Sequence, residues 1–306
     1  MSRKLPFLLA LIFALPLVAQ QPATPDAQDI MARVAANQDA TEAARLHYVY
    51  VQHAHVRSLK GHTVRCEETT DTRITPTANG SDQQLLKLDG RLLLKGKYIT
   101  YNALPKPRDT NVHDTTKADR DEDINVTINN EDDTDRDIVE NMRGNLTNDK
   151  SKDGIGARLF PLTSKSQTGY DFQLLGHAPL NGHDTFHLIF HPKDTSDTSD
   201  YGWKGDAYID TTTYQPVLVR TAMARNIPFA VRTLLGTSLP GLGFSVTYAP
   251  QPDGVWFPIT FGTEFKMHIL FFFNREIIID AHNLDFEKTH VTSTIHSEDP
   301  PEPTKP

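Results

Sequence analysis

The stretch from Val255 to Phe273 constrains the fold more than any other part of the chain. Its odd-numbered positions are apolar except for Thr263, and they hold Val255, Phe257, Ile259, Phe261, Phe265, Met267, Ile269, Phe271 and Phe273. The even-numbered positions include Trp256, Thr260, Glu264, Lys266 and His268. A period of two predicts a β-strand with one apolar face and one solvent-facing side. A straight strand of this length would exceed about 60 Å, so we expect a bend or bulge, with Gly262 the obvious place for it.

Alternation also begins at Tyr48, and further strand-like runs follow it. They cover residues 48–56, 63–76, 84–101, 170–178, 183–191, 205–210, 215–224, 244–248 and 277–286, with a last short run at 291–295. Turn signals separate them: Asn79-Gly80, Asp89-Gly90, Asn181-Gly182, Thr211–Tyr214 and Asp253-Gly254. Strands that pair with their sequence neighbours give an antiparallel sheet. Residues 26–46 place apolar side chains at helical spacing behind Asp26, which predicts a capped N-terminal helix.

The first nineteen residues are typical of a secretory signal peptide. Arg3 and Lys4 precede an apolar run that ends in Val18-Ala19, and this run is shorter than the roughly twenty residues of a membrane-spanning helix. An uncleaved anchor is the alternative. The lone Cys66 lies far from the cleavage point and has no disulfide partner. We therefore expect an exported protein, periplasmic or peripherally associated with the envelope, with one domain at 26–296 and a disordered tail at 297–306.

Acidic residues are concentrated in the middle of the chain. The formal charge of −8 becomes −10 without Arg3 and Lys4, and nine acidic residues against two arginines give −7 between Asp119 and Asp137. This balance argues against a nucleic-acid partner. We interpret residues 105–155 as a polar insertion, partly helical around 137–146 or mobile. Its acidic part is a candidate docking surface for a basic protein.

No catalytic or metal-binding motif is convincing. His183, His187 and His191 share one side of a strand, but neighbouring members are about 13 Å apart. His53 and His55 are close enough to bind zinc only if a third ligand comes from elsewhere. The acidic runs lack the glycine and the final glutamate of a calcium loop, and no nucleophile elbow occurs. We interpret Cys66 as a small buried residue. We predict no cofactor, no metal and no enzymatic activity.

Several segments together resemble the outer-membrane lipoprotein-sorting, LolA/LolB-like family. They are the helix ending in Ala36-Asn-Gln-Asp-Ala40, the run Gly205–Asp210 followed by Thr211-Thr-Thr-Tyr-Gln-Pro216, Tyr248-Ala-Pro250, and Gly254-Val-Trp-Phe-Pro258. The resemblance implies a mainly β (α+β) fold, with a curved antiparallel sheet forming an open or half barrel. It further implies an N-terminal helix, covering helices, and an apolar concave face that holds acyl chains. The insertion at 105–155 departs from the family's usual pattern.

Three functions are consistent with these observations. The leading hypothesis is a carrier that shields a lipid or the acyl chain of a lipoprotein, with Phe257, Ile259, Phe261, Phe265, Met267, Ile269 and Phe271 lining the ligand site. An ordinary packed core is the structural alternative for each of these residues. The second hypothesis is an envelope interaction protein that docks through Asp119–Asp137. The third is a hydrolase with carboxylates from distant strands, which would require a polar cleft.

Overall fold

The computed structural model of the protein describes residues 25–77, 80–103, 134–146, 161–193, 203–223, 237–238, 242–269 and 273–289. The predicted signal peptide at 1–19, the acidic run from Asp119 to Asp133, the short run at 291–295 and the tail at 297–306 lie outside these ranges. Among the described residues, none of the helices combines the length and apolar character needed to cross a membrane.

The described elements are three helices and twelve strands. The helices are α1 (Ala27–Arg45), α2 (Thr134–Leu146) and the short α3 (Ser164–Gln167). The strands are β1 (Tyr48–Lys60), β2 (Thr63–Thr77), β3 (Gly80–Leu94), β4 (Lys97–Tyr101), β5 (Tyr170–Leu180), β6 (His183–Pro192), β7 (Trp203–Asp210), β8 (Pro216–Met223), β9 (Thr237–Ser238), β10 (Gly243–Pro250), β11 (Trp256–Ile269) and β12 (Phe273–Lys288).

All strands belong to one antiparallel sheet. Its order is β4-β3-β2-β1-β12-β11-β10-β8-β7-β6-β5, and β9 pairs with β11 beside this path. The first and last strands therefore lie side by side near its middle, while β4 and β5 form its edges. The sheet is curved and does not close. The fold predicted from the sequence, a mainly β chain with an open, curved antiparallel sheet, is confirmed.

The predicted turns at Asn181-Gly182, Thr211–Tyr214 and Asp253-Gly254 are confirmed, and one prediction is wrong. Asn79 of the fifth predicted turn lies outside the described residues. Asn181 and Gly182 have φ values of 51° and 83° in the β5–β6 hairpin, as a two-residue hairpin turn requires. Asp89-Gly90 is not a turn, because it lies inside β3. The turn comes later, at Lys95-Gly96, where φ is positive at both residues. At Gly90 a side chain would collide with the ring of Tyr101, only 2.3 Å from the position of a Cβ atom.

Helix α1 begins where the sequence predicts. The side chain of Asp26 accepts a hydrogen bond from the Asp29 backbone N–H at 2.7 Å, which satisfies one of the free N–H groups at the helix start. Further along the helix, Asn37 donates to the backbone oxygen of Thr213 at 2.7 Å, and Arg45 donates to that of Trp256 at 2.7 Å. These bonds fix α1 to the β7–β8 turn and to the start of β11.

Helix α2 belongs to the core, although its sequence lies within the predicted polar insertion. Ile138, Val139 and Met142 are buried, and the helix packs on β1 and β2. Its apolar residues recur at helical spacing, which buries one face against the sheet. The segment 105–155 is therefore not polar throughout.

Two apolar clusters fill the interior. The main core joins α1 and α2 to both halves of the sheet. The small core consists of Tyr48, Tyr50, Ile74 and Phe257, with Val255, Ile259 and Phe286 packed against it. On β1, Gln52 lies between the two clusters and donates a hydrogen bond to Asn283 at 3.2 Å. A buried amide pair thus marks the boundary between them.

Candidate functional site

The two long helices cover different parts of the sheet. Helix α1 contacts β5 and α3, whereas α2 contacts β1 and β2. Between β5 and β1 in the sheet lie β6, β7, β8, β10, β11 and β12, and the buried-side residues of the last four form what we call the central strip. Its members are Val219, Phe244, Val246, Tyr248, Phe261, Phe265, Met267, Ile277, Ile279 and Ala281.

The strip is continuous across four strands because their registers align. Val219 pairs with Val246, which pairs with Phe261. Phe261 in turn pairs with Ala281. Directly opposed residues of an antiparallel pair point to the same face, so this row runs straight across the sheet. A row of apolar side chains with few polar atoms favours contact with another apolar surface.

Aromatic rings extend the strip toward β7. The ring centroids of Trp203 and Phe244 are 5.0 Å apart, and those of Phe244 and Phe261 are 5.2 Å apart. Trp203 and Phe261 are buried, whereas Phe244 and Tyr248 are only half-buried. The sequence showed the alternation of Phe244, Val246 and Tyr248 but did not indicate that it continues the face of β11.

The residues predicted to line a ligand site fall into two groups. Phe261, Phe265 and Met267 lie in the central strip. Phe257 and Ile259 belong to the small core instead. Ile269 ends β11, where it pairs with Phe273 of β12, and Phe271 lies outside the described residues. The apolar residues between 255 and 273 therefore do not all belong to one cluster.

An irregularity in β11 explains this division. Thr260 pairs with Thr247 and Pro258 pairs with Tyr248, so Ile259 has no partner on β10. An extra residue of this kind bends a strand and changes which residues share a face. The predicted bend thus lies at Ile259, not at Gly262. It also explains why Trp256, predicted to face solvent, is buried, while Glu264 and Lys266 are exposed as predicted.

One end of the strip carries a buried ion pair. Arg275 lies opposite Met267 in the register of β11 and β12. Its guanidinium donates to both carboxylate oxygens of Asp135 on α2, at 2.5 and 2.9 Å. Ser58 donates to the same carboxylate at 2.8 Å, and Arg65 reaches it at 3.4 Å. This cluster attaches the start of α2 to three strands.

A second polar cluster holds the other part of α2. The buried Glu68 accepts hydrogen bonds from Tyr101 at 2.8 Å and from Arg143 at 2.9 Å. Burial is the main reason why the pKa of Tyr101 is raised, and the neighbouring Cys66 and Glu68 raise it further. Burial also raises the pKa of the Cys66 thiol to about 12. At neutral pH both groups are protonated, so this cluster offers neither an activated thiolate nor a phenolate.

Several histidines of the described strands lie beside carboxylates. His53 is 2.6 Å from Asp71, His183 is 2.8 Å from Asp210, and His187 is 2.8 Å from Asp206. The side chains of His183 and His187 each pair with a different acid of β7. His183, His187 and His191 therefore do not converge on a common centre, as their spacing predicted.

The fold and the strip define a class of protein, namely an open, curved antiparallel sheet with helices packed on its apolar side. No protein-family model and no curated protein matches the sequence. Among solved structures, a DUF1329 family protein from Desulfovibrio piger is 12% identical over 89% of this chain and 96% of its own, with a TM-score of 0.36. An outer membrane lipoprotein-sorting protein domain from Vibrio parahaemolyticus is 13% identical, covering 87% of this chain and 95% of its own, with a TM-score of 0.36.

A third similar structure is the lipoprotein LppX of Mycobacterium tuberculosis. It is 8% identical and covers 64% of this chain and 88% of its own, with a TM-score of 0.24. TM-scores and identities this low define neither a shared family nor a shared ligand. The function must follow from the geometry of the strip itself.

Proposed function

We propose that the protein is an exported carrier that binds a lipid or a lipid-linked acyl chain on the central strip, without covalent chemistry. One observation carries this proposal. The apolar face continues across four strands; eight of the ten residues of the strip are buried, and two of its four aromatic members, Phe244 and Tyr248, are only half-buried. Half-buried rings beside a buried apolar face leave apolar area that a ligand can cover.

The energetics favour a flexible apolar chain as the ligand. Each methylene group transferred from water to an apolar surface contributes about 0.8 kcal/mol. An acyl chain in contact with the half-buried rings of Phe244 and Tyr248 would transfer several such groups from water. The strip itself carries few groups that could recognise a polar molecule. The resemblance to lipoprotein-sorting proteins in the sequence agrees with this choice of ligand.

The direct test is to identify what the purified protein carries. We expect native mass spectrometry of the processed protein, isolated without detergent from its own envelope, to show a bound lipid or acylated peptide at one per chain. The ligand-free protein should bind a fluorescent C16 fatty acid or a synthetic lipopeptide. If it carries nothing and binds neither probe, the proposal is wrong.

A matched pair of variants locates the site. Phe244 lies in the strip and Phe286 in the small core, and both side chains are half-buried. We expect Phe244→Ser to weaken binding of the fatty acid at least about tenfold, which corresponds to ~1.4 kcal/mol. Phe286→Ser should leave it unchanged. Equal weakening by both substitutions would indicate a general loss of structure and would contradict a site on the strip.

A further inference from the structure

Two histidines on the outer face of β1 lie next to residues of β12 that are far away in the sequence. The even-numbered residues of β1 from Tyr48 to Ser58 are buried, so His53 and His55 lie on the opposite face. On β12, His282 pairs directly with His53, and Asp280 pairs directly with His55. These four residues, which we call the outer histidine square, form two facing pairs on one side of the sheet.

The spacing of the square suits a single small ion. Directly opposed residues of antiparallel strands have Cβ atoms about 4.5–5.5 Å apart, and alternate residues of one strand are about 6.8 Å apart. Long side chains such as histidine can converge over such distances. His183, His187 and His191 differ from the square because neighbouring members are about 13 Å apart. In addition, His183 and His187 have separate acidic partners on β7.

Carboxylates behind the two β1 histidines resemble the outer shell of a metal site. His53 Nδ1 lies 2.6 Å from an oxygen of Asp71, and His55 Nε2 lies 3.3 Å from an oxygen of Glu67. A histidine that binds a metal usually donates its other ring N–H to a carboxylate, which fixes the tautomer and the ring orientation. The contact with Asp71 leaves Nε2 of His53 as the nitrogen for an ion.

The square is accessible to solvent, but its four side chains do not converge on one point. The side chains of His53 and Asp280 are 42% and 52% exposed. Asp280 also accepts a hydrogen bond from Arg57 at 3.1 Å. As the side chains stand, no three His, Cys, Asp or Glu residues of the described part are grouped to hold a metal ion. Exposed side chains exchange rotamers within nanoseconds, so those of His282 and Asp280 can turn toward His53 Nε2 without a change in the backbone. His55 is half-buried, and its ring keeps Nδ1 for the ion while Nε2 faces Glu67.

We propose that the outer histidine square binds one divalent transition metal ion such as Zn²⁺. His53, His55 and His282 provide three nitrogen ligands, Asp280 provides an oxygen ligand, and Asp71 positions His53. Imidazole with carboxylate is a ligand set that zinc accepts in four-coordinate sites. The site is on the opposite side of the sheet from the central strip, so it does not depend on the proposed lipid ligand.

The test is a calorimetric titration of the full chain with ZnCl₂ alone. We expect one ion per chain for the natural sequence and loss of that ion in His53→Ala and His282→Ala. Asp71→Asn should weaken binding about 10–100-fold, the usual effect of removing an outer-shell partner. His191→Ala, which removes an exposed histidine of β6, is the matched control and should bind as the natural chain does.

A second measurement separates this site from binding elsewhere. A ligand that binds only the folded state raises the unfolding temperature, so Zn²⁺ should stabilise the natural chain and His191→Ala but not His282→Ala. Binding that is unchanged in His282→Ala would place the ion elsewhere, for instance on the acidic segment, and would overturn the proposal. Failure of the natural chain to bind one ion would overturn it equally.

Discussion

Asp135, near the start of α2, and Arg275 of β12 form a buried two-point ion pair although they are 140 positions apart in the chain. Their side chains are only 4% and 9% exposed. Asp135 also lies in the first turn of its helix, where a negative charge is favoured by the helix dipole. This pair joins the only described helix of the acidic region to the centre of the sheet.

Removing the charge of only one partner of this ion pair should destabilise the folded protein. We expect Asp135→Asn to lower the free energy of unfolding by about 3–5 kcal/mol, because the guanidinium of Arg275 remains buried without its counter-charge. Replacing both residues by leucine should cost less than the sum of the two single replacements. Urea denaturation of the natural chain, Asp135→Leu, Arg275→Leu and the double leucine variant measures this coupling. The exposed pair Lys87–Asp89 is the control, and Lys87→Ala should not shift the denaturation midpoint.

Gly90 is a position where only glycine fits beside Tyr101. We expect Gly90→Ala to lower the free energy of unfolding by about 1–3 kcal/mol, the range for inserting a methyl group into a filled space. The ring of Tyr101 cannot retreat freely, since its hydroxyl donates to Glu68 and Arg136 lies 4.0 Å from its centroid. In a Tyr101→Ala background the same substitution should cost almost nothing. An equal cost in both backgrounds would show that the ring is not the obstacle.

Asp253 should make stability depend on pH in the acid range. Its hydrogen bond from Tyr48, followed by that from Lys288, lowers its pKa to about 2. Because the folded-state pKa is below the unfolded value of about 3.9, the stabilisation is fully present above about pH 4. It is lost as the pH falls toward 2. The difference in denaturation midpoint between the natural chain and Asp253→Asn should therefore shrink over this window, and a constant difference would contradict the assignment.

Cys66 should resist alkylation while the protein is folded. Its pKa of about 12, raised mainly by burial, leaves almost no thiolate at pH 8, and the side chain is buried. Iodoacetamide reacts with the thiolate of an accessible cysteine. Mass spectrometry should therefore detect the alkylated residue only after denaturant is added. Rapid modification of the folded protein would mean that the contact between Cys66 and Tyr101 opens locally.

The strands and hairpins could be predicted because their signals are local. The alternation from Tyr48 and the turns at Asn181-Gly182 and Asp253-Gly254 depend on residues that are neighbours in sequence. The pairing of β1 with β12 was not predictable in this way, because no local pattern records which distant strands meet. At Asp89-Gly90 a local signal predicted a turn wrongly, because Gly90 instead makes room for the ring of Tyr101.

The candidate site was only partly predictable for the same reason. The alternation indicated Phe261, Phe265 and Met267 correctly as neighbours on one face. It also grouped Phe257 with them, because a bulge at Ile259 leaves no trace in a pattern of apolar residues. Phe244 and Trp203 escaped prediction because they join the strip through strand order. Arg275 and Asp135 escaped it because charged residues in a sequence rarely indicate their own burial.

The pairing of the first and last strands determines the order in which the protein can fold. Tyr48 and Lys288 face each other across the β1–β12 pair although they are 240 positions apart. The β1–β4 and β5–β12 groups consist of strands close in sequence, so each can assemble early, whereas joining them requires closure of a very long loop. Until β12 has been synthesised, β1 and β11 both present unpaired backbone edges, which are templates for aggregation. β1 therefore lacks its second partner through nearly the whole of synthesis, and a chain shortened before β12 should accumulate as aggregates.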